Sequence, residues 1–110
     1  MQKVNIDNIK GKVAKENETY LVRDNTFLNN LVLSSTLLNP FKQTTGHSHP
    51  GQEEVYIFQE GTGVMEIDDD AFFVQKGDVV LVPDGAFHRV RNESSEPLYF
   101  VCVFDGKRNH

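Results

Sequence analysis

Glycine and proline recur along the sequence in short polar clusters, about one every 8 to 12 residues. The clusters lie at 39–40, 46, 50–51, 61–63, 77–78, 83–85 and 105–106. The runs between them are rich in β-branched and aromatic residues, and no window of 12 residues shows a convincing period of 3.6. This pattern predicts an all-β sandwich or barrel of short strands joined by turns.

Alternation and composition assign the individual strands. Met65 and Ile67 share one face of a predicted strand, and the acidic residues beside them share the other. The runs Val79–Val82 and Leu98–Phe104 are continuously apolar, which is typical of strands covered on both faces. The remaining predicted strands are 20–22, 31–37, 54–58, 72–74 and 88–90, and residues 25–30 are expected to form a loop or one short helical turn.

Length and charge limit the domain organisation and the partners. The 110 residues predict one domain over 1–110, and a chain this short gains from a bound metal or a partner subunit. Its single cysteine, Cys102, lies in an apolar run and is expected to be buried and inert, so no internal disulfide is available. The net charge of −5 argues against nucleic acid or an anionic membrane as a partner. Without a spanning apolar segment or a secretory signal, we expect a cytoplasmic protein.

Four histidines, one cysteine and an acidic run are the candidates for chemistry. The acidic run 68–70 fits a hairpin turn better than a cation site, because aspartate tolerates turn conformations. His110 is terminal and is expected to be solvated. His47 and His49 are two residues apart, a spacing that places both imidazoles on one face of a strand.

Glu54 and His88 complete a possible ligand set with this histidine pair. Glu54 lies five residues beyond His49, across the turn at 50–51, and His88 follows the turn at 83–85. Three imidazoles and one carboxylate suit a divalent transition metal (Mn, Fe, Co, Ni, Cu or Zn) better than calcium or magnesium. A histidine pair alone is a weak signal, since it is often a hydrogen-bonded or surface pair. The adjacent Glu53 is the rival carboxylate, and strand parity places it on the opposite face.

The spacing of these residues resembles the two sequence motifs of the cupin superfamily. In the first motif, over about 41–61, a His-x-His pair is followed by Glu and then by Gly, which His47, His49, Glu54 and Gly61 match. The second motif, over about 77–92, is matched at every position by Gly77, Pro83, Gly85, His88 and Asn92. The chain departs from the first motif at its opening glycine, where it has Phe41.

The resemblance implies a small single-domain cupin, which is a double-stranded β-helix or jelly-roll barrel. It implies that His47, His49, Glu54 and His88 hold one metal ion, and strand parity favours Glu54 over Glu53. Asn92 is expected to fix a turn rather than to bind the ion. Exposed edge strands of a small jelly roll need covering, so we also expect a homodimer formed through the N-terminal strand region.

Strand parity predicts which side chains accompany the metal ligands in a pocket. The predicted lining residues are Gln43, Thr45, Tyr56, Phe58 and Val90. Tyr56 and Phe58 fit either substrate contact or simple filling of the barrel. No lysine or arginine is clearly placed inside, which argues against a phosphorylated substrate, although the face of Arg23 cannot be assigned.

Two classes of function are compatible with this resemblance. The first is a metal-dependent enzyme that acts on a small oxygen-rich metabolite, such as a sugar or keto-acid isomerase, a lyase or a dioxygenase, with Tyr56 as an auxiliary acid or base. The second is a binding or sensing cupin without turnover. A structural subunit stabilised by a metal is a third interpretation.

Overall fold

The computed structural model describes residues 1–106, so the predicted features of His110 lie outside the described part of the chain. It contains nine strands, which are β1 (Lys12–Glu16), β2 (Tyr20–Asn25), β3 (Leu31–Leu38), β4 (Glu54–Glu60), β5 (Thr62–Ile67), β6 (Asp70–Gln75), β7 (Val79–Val82), β8 (His88–Arg91) and β9 (Leu98–Asp105). Within residues 1–106 there is no helix of the length and apolarity that a membrane span requires.

The strands form two antiparallel sheets that enclose the core. The larger sheet has six strands in the order β1-β2-β3-β9-β4-β7, and the smaller has three in the order β6-β5-β8. From β4 onward the chain crosses between the two sheets at four connections, which are β4–β5, β6–β7, β7–β8 and β8–β9. The predicted all-β double-stranded β-helix, or jelly-roll barrel, is confirmed.

Apolar side chains from both sheets meet in the barrel interior. Phe58 and Phe100 lie with ring centroids 5.2 Å apart, and Met65 and Val90 reach them from the smaller sheet. All four are buried almost completely. This core fills one end of the barrel and leaves polar side chains at the other end.

Strand β7 differs from its prediction. Val80 and Val82 are buried, but Val79 and Leu81 are 57% and 70% exposed. The prediction that both faces of this run are covered is therefore wrong. The reason is that only the inner face of β7 meets the core, while its outer face lies open to solvent.

The predictions for the loops and for β9 agree with the structure. Asn25 ends β2, and residues 26–30 form a loop without a helical turn. Asp68 begins a tight turn between β5 and β6 with a φ of 49°, and its carboxylate accepts a hydrogen bond from the Phe87 amide at 3.0 Å. The residues of β9 are mostly buried on both faces, as predicted, and Cys102 is buried and free of any disulfide.

The N-terminal segment lies on the outer face of the larger sheet. Ile9 is buried there, and its carbonyl accepts a hydrogen bond from the Asn25 side chain at 2.6 Å. The Tyr99 hydroxyl donates to the Ile6 carbonyl at 2.7 Å. These contacts fasten the segment to β2 and β9, away from the barrel interior.

Candidate metal centre

Backbone pairing brings His47 and His88 together. The amide of His88 donates to the carbonyl of His47 at 3.0 Å, and the amide of His47 donates back to the carbonyl of His88 at 3.3 Å. This pair forms an isolated antiparallel bridge, so the segment that carries His47 is not a regular strand. The one-face argument for His47 and His49 assumed a strand, which this segment does not form, yet the bridge still brings His47 beside His88.

A fixed turn separates His49 from Glu54. The amide of Gln52 donates to the carbonyl of His49 at 3.1 Å, and the amide of Gly51 donates to the Asp84 carboxylate at 2.7 Å. The second contact joins this turn to the turn that precedes His88. Glu54 then begins β4 with its side chain buried in the barrel, whereas the adjacent Glu53 is exposed.

The four predicted ligand residues converge at one end of the barrel interior. The ring centroid of His47 lies 4.5 Å from that of His49 and 4.9 Å from that of His88, and those of His49 and His88 are 6.1 Å apart. Nε2 of His88 lies 2.7 Å from Oε2 of Glu54. Glu54 comes from the larger sheet and His88 from the smaller one, so the cluster lies between the two sheets.

The cluster is not arranged as a finished coordination sphere. Among residues 1–106, no group of three or more His, Cys, Asp or Glu side chains has its donor atoms disposed around a common point. Instead, His88 and Glu54 contact each other directly. Two adjacent ligands with bonds of about 2.1 Å to one ion lie about 3 Å apart. The 2.7 Å spacing of these two atoms is close to that value.

The second nitrogen of His88 fixes the orientation of its ring. Nδ1 lies 3.0 Å from the carbonyl oxygen of Ala86. A carbonyl oxygen can only accept a hydrogen bond, so Nδ1 carries a proton and donates it. In the neutral ring, Nε2 therefore carries the lone pair and points at Glu54. Nε2 of His88 and Oε2 of Glu54 are buried, and neither has a hydrogen-bond partner among the described residues apart from their ion-pair contact. A buried pair of this kind fits a cation, since metal-bound histidines usually donate their other nitrogen to an oxygen.

The environment of the cluster shifts the pKa values of its members in different directions. Burial, followed by the charges of His88 and His49, lowers the pKa of His47 to about 4. Burial would raise the pKa of Glu54, but the contact with His88 and the charges of the three imidazoles outweigh it and lower that pKa. For His88, burial acts to lower the pKa, and the contacts with Glu54 and the Ala86 carbonyl outweigh it and raise the pKa. His47 is therefore neutral at pH 7, with a nitrogen lone pair available.

Tyr56 lies beside the cluster on β4. Its ring centroid is 5.8 Å from that of His88 and 5.5 Å from that of Phe100. Burial, followed by the neighbouring Cys102 and Glu54, raises the pKa of its hydroxyl well above the usual value. The phenol therefore stays protonated and can donate a hydrogen bond, but it cannot accept a proton.

A cavity of about 50 Å³ adjoins His47, Glu54 and Tyr56. Of the five predicted lining residues, Thr45 and Tyr56 border this cavity and the other three lie elsewhere. Gln43 is exposed and borders a separate depression beside Arg91. Phe58 and Val90 belong to the hydrophobic core and fill the barrel. Strand parity failed for Gln43 because residues 43–47 make isolated bridges instead of a continuous ladder.

Sequence reasoning missed a cation at this cavity. Lys15 lines it from β1, together with Ser34, Thr36 and Thr44. Arg23, by contrast, lies on the outer face of the larger sheet, where it borders a depression of about 650 Å³. No sequence signal identified Lys15, because the pairing of β1 with β2 shifts by one residue between Val13 and Lys15.

Comparison with known proteins identifies the family. Residues 36–104, more than half of the chain, match the family described as "Cupin domain". The chain belongs to the cupin family. This cupin is 33% identical over 70 residues to an uncharacterized protein of Methanocaldococcus jannaschii, a match that spans 64% of this chain and 56% of that protein. The chain thus matches little more than half the length of this relative.

Solved structures show the same barrel. The cupin superposes with a TM-score of 0.83 on a Thermus thermophilus protein that is 24% identical, covering 98% of this chain and 100% of that chain. It also superposes on the oxalate decarboxylase of Bacillus subtilis, an enzyme with Mn(II) centres, with a TM-score of 0.76 at 25% identity. That match covers 86% of this chain and 28% of the decarboxylase chain.

The asparagine of the second cupin motif has a structural role. The buried side-chain amide of Asn92 donates to the carbonyls of Leu38, Asn39 and Glu96 at 2.8 to 3.2 Å. Its oxygen accepts from the amide of Ser94 at 3.0 Å. Asn92 thus joins the end of β3 to the loop between β8 and β9, in line with the turn-fixing role predicted for it.

Proposed function

We propose that this cupin binds one divalent transition metal (Mn, Fe, Co, Ni, Cu or Zn) through His47, His49, Glu54 and His88, and acts on a small oxygen-rich metabolite. The observation that carries the proposal is the meeting of three imidazoles and one carboxylate between the two sheets. Their chemistry also supports it, because neutral imidazoles and one carboxylate are typical ligands of such ions. Manganese in the related oxalate decarboxylase is consistent with this choice.

When bound, the metal would polarise a carbonyl group or stabilise an enolate of the substrate. The protein's own side chains then have separate tasks. The Ala86 carbonyl binds Nδ1 of His88 and so keeps Nε2 directed into the site. The buried Tyr56 hydroxyl, which neighbours Glu54, would donate a hydrogen bond to the bound substrate. Tyr56 acts here as a hydrogen-bond donor rather than as a base, and replacing it with phenylalanine without loss of turnover would remove even that role.

Metal content with a matched pair of variants tests the proposed ligands. We expect about one metal ion per chain in native or reconstituted protein, and a loss of affinity of more than about tenfold in Glu54→Gln. Glu53→Gln is the control, since Glu53 is exposed on the opposite face of the same segment. His47→Gln is a second ligand variant, and circular dichroism shows whether each variant folds. Absence of stoichiometric metal in both native and reconstituted protein would refute the proposal.

A binding or sensing role without turnover is the second candidate. The raised pKa of Tyr56 bears on this choice, because the residue predicted as an auxiliary acid or base stays protonated, which argues against the role of base and leaves the role of acid. A screen of sugars, keto acids and diketones with the metal-loaded protein separates the two functions. Turnover of any of them supports the enzyme, whereas ligand-induced stabilisation without turnover supports the sensor.

The remaining sequence-based expectations stay proposals. We propose that residues 1–110 form one cupin domain and that two copies associate as a homodimer. A cytoplasmic location also stays a prediction, which fractionation of the source cells tests.

A further inference from the structure

A β-bulge in β1 turns Lys15 toward the barrel interior. Val13 pairs with Arg23 on the outer face of the sheet, and Lys15 pairs with Val22, whose side chain is buried inside. Simple alternation from Val13 would place Ala14 inside and Lys15 outside. The extra residue in the bulge reverses this, and bulges commonly redirect a side chain in this way beside functional sites.

Lys15 reaches the cavity beside the proposed ligands and takes part in no ion pair among residues 1–106. It lines this cavity together with His47 and Glu54, and its side chain is half-buried. The carboxylate of Glu54 is already in contact with His88. A half-buried lysine without an ion-pair partner is stabilised by an anion.

We propose that Lys15 is the anion-binding residue of this cavity and that the ligand is a small carboxylate. The proposal rests on the proposed function and names its substrate class. A divalent ion bound to Glu54 and three neutral imidazoles leaves one positive charge, and Lys15 adds a second. A monocarboxylate that reaches both the metal and Lys15 offsets one of these two charges and a dicarboxylate offsets both, whereas a neutral sugar offsets neither.

The size and lining of the cavity favour a small acid. A volume of about 50 Å³ holds roughly three to five water-sized groups. That space matches the carboxylate end of a small acid. Thr36 and Thr45 also line the cavity, and threonine is a residue type that can donate hydrogen bonds to carboxylate oxygens.

A phosphate ligand fits the cavity less well. Phosphate is commonly held by bidentate arginine, and Arg23 lies on the outer face of the sheet instead. Arg89 and Arg91 contact Glu66 on the outside of the smaller sheet. Lys15 is thus the basic side chain among those that line this cavity.

Calorimetric titration of the metal-loaded protein with acetate, glycolate, oxalate and inorganic phosphate tests the proposal. Acetamide is the neutral counterpart of acetate. We expect at least one carboxylate to bind and to lose about tenfold to a hundredfold in affinity in Lys15→Met, as for a lost charge-assisted hydrogen bond. Lys15→Arg should retain most of the affinity.

Lys12→Met is the matched control, because Lys12 lies on the same strand but is exposed and does not line the cavity. It should bind the carboxylates within about twofold of the wild type. Equal carboxylate binding by wild type and Lys15→Met at unchanged metal content would overturn the inference, as would acetamide or phosphate binding more tightly than the carboxylates. Failure to bind metal would contradict the proposed function instead, and the same titrations of metal-free protein would then still measure the contribution of Lys15.

Discussion

Phe41 holds a backbone conformation that its side chain disfavours. Its φ is 59°, in the left-handed region, and its side chain is 71% exposed. This is the position at which the first cupin motif has glycine, the residue that adopts such a conformation most easily. The conformation costs about 1–2 kcal/mol in a residue with a β-carbon.

Replacing Phe41 with glycine is therefore expected to stabilise the protein. The relief of strain exceeds the added backbone entropy of about 0.5–1 kcal/mol, which leaves a net gain of about 0.5–1 kcal/mol in the free energy of unfolding. Urea unfolding measures this change. Phe41→Ala is the control, since it removes the same exposed ring but keeps a β-carbon, and it should stay within about 0.5 kcal/mol of the wild type. Equal changes in the free energy of unfolding for the two substitutions would show that loss of the ring, and not relief of backbone strain, causes the change.

At the scale of the strand connections, two glycines of the cupin motifs share a conformation but differ in their surroundings. Gly61, between β4 and β5, has a φ of 86°, and Gly77, between β6 and β7, has a φ of 94°. A β-carbon on Gly61 would lie 2.4 Å from the carbonyl oxygen of Pro97. A β-carbon on Gly77 would meet nothing within 4 Å. Gly61 is thus required for both conformation and close packing, and Gly77 for conformation alone.

This difference predicts unequal costs for the same substitution. Gly77→Ala should lower the free energy of unfolding by about 1 kcal/mol, the cost of the left-handed conformation. Gly61→Ala should lower it by about 2–4 kcal/mol, because the backbone at Pro97 must also move away from the added β-carbon. Thermal and urea unfolding of the two variants give the comparison. A cost for Gly61→Ala no greater than that for Gly77→Ala would contradict the close approach of Pro97.

The strands also show where sequence reasoning succeeds and where it does not. His88 and Glu54 could be placed because each opens a regular strand after a recognisable turn, so parity holds. Lys15 could not, because one inserted residue in β1 reverses the alternation, and nothing in the local sequence marks the insertion. Strand parity does not apply to Gln43, because its segment makes single bridges rather than a ladder.

The exposure of the outer face of β7 also could not be predicted from the sequence. A short apolar run has the same appearance whether its strand lies inside a sheet or at its edge, and that position depends on the order of all six strands. For the same reason the general fold could be predicted from turn spacing and motif residues, whereas the identity of the edges could not. The edges are a property of the whole molecule.

At that scale, the two edges of the larger sheet are unequal. The edge strand β1 is exposed and carries Lys12 and Glu16, and charged side chains on an edge discourage pairing with another chain. The opposite edge, β7, presents Val79 and Leu81 to solvent. These apolar side chains lie beside the outward-facing Val55 and Ile57 of β4, with which they pair. We therefore expect a second copy of the chain to cover the β7 side rather than the N-terminal strand side.

Light scattering tests this assembly. A homodimer should have twice the 12.5 kDa mass of the chain. The double substitution of Val79 and Leu81 by lysine should convert it to a monomer, because an interface that buries two ammonium groups without partners is strongly disfavoured. Val13→Lys on β1 is the control, since Val13 is also exposed and apolar but lies on the other edge, and it should leave the dimer intact. A monomeric wild type would refute the homodimer. If Val13→Lys dissociates the dimer and the double substitution on β7 does not, the dimer interface lies on β1 instead.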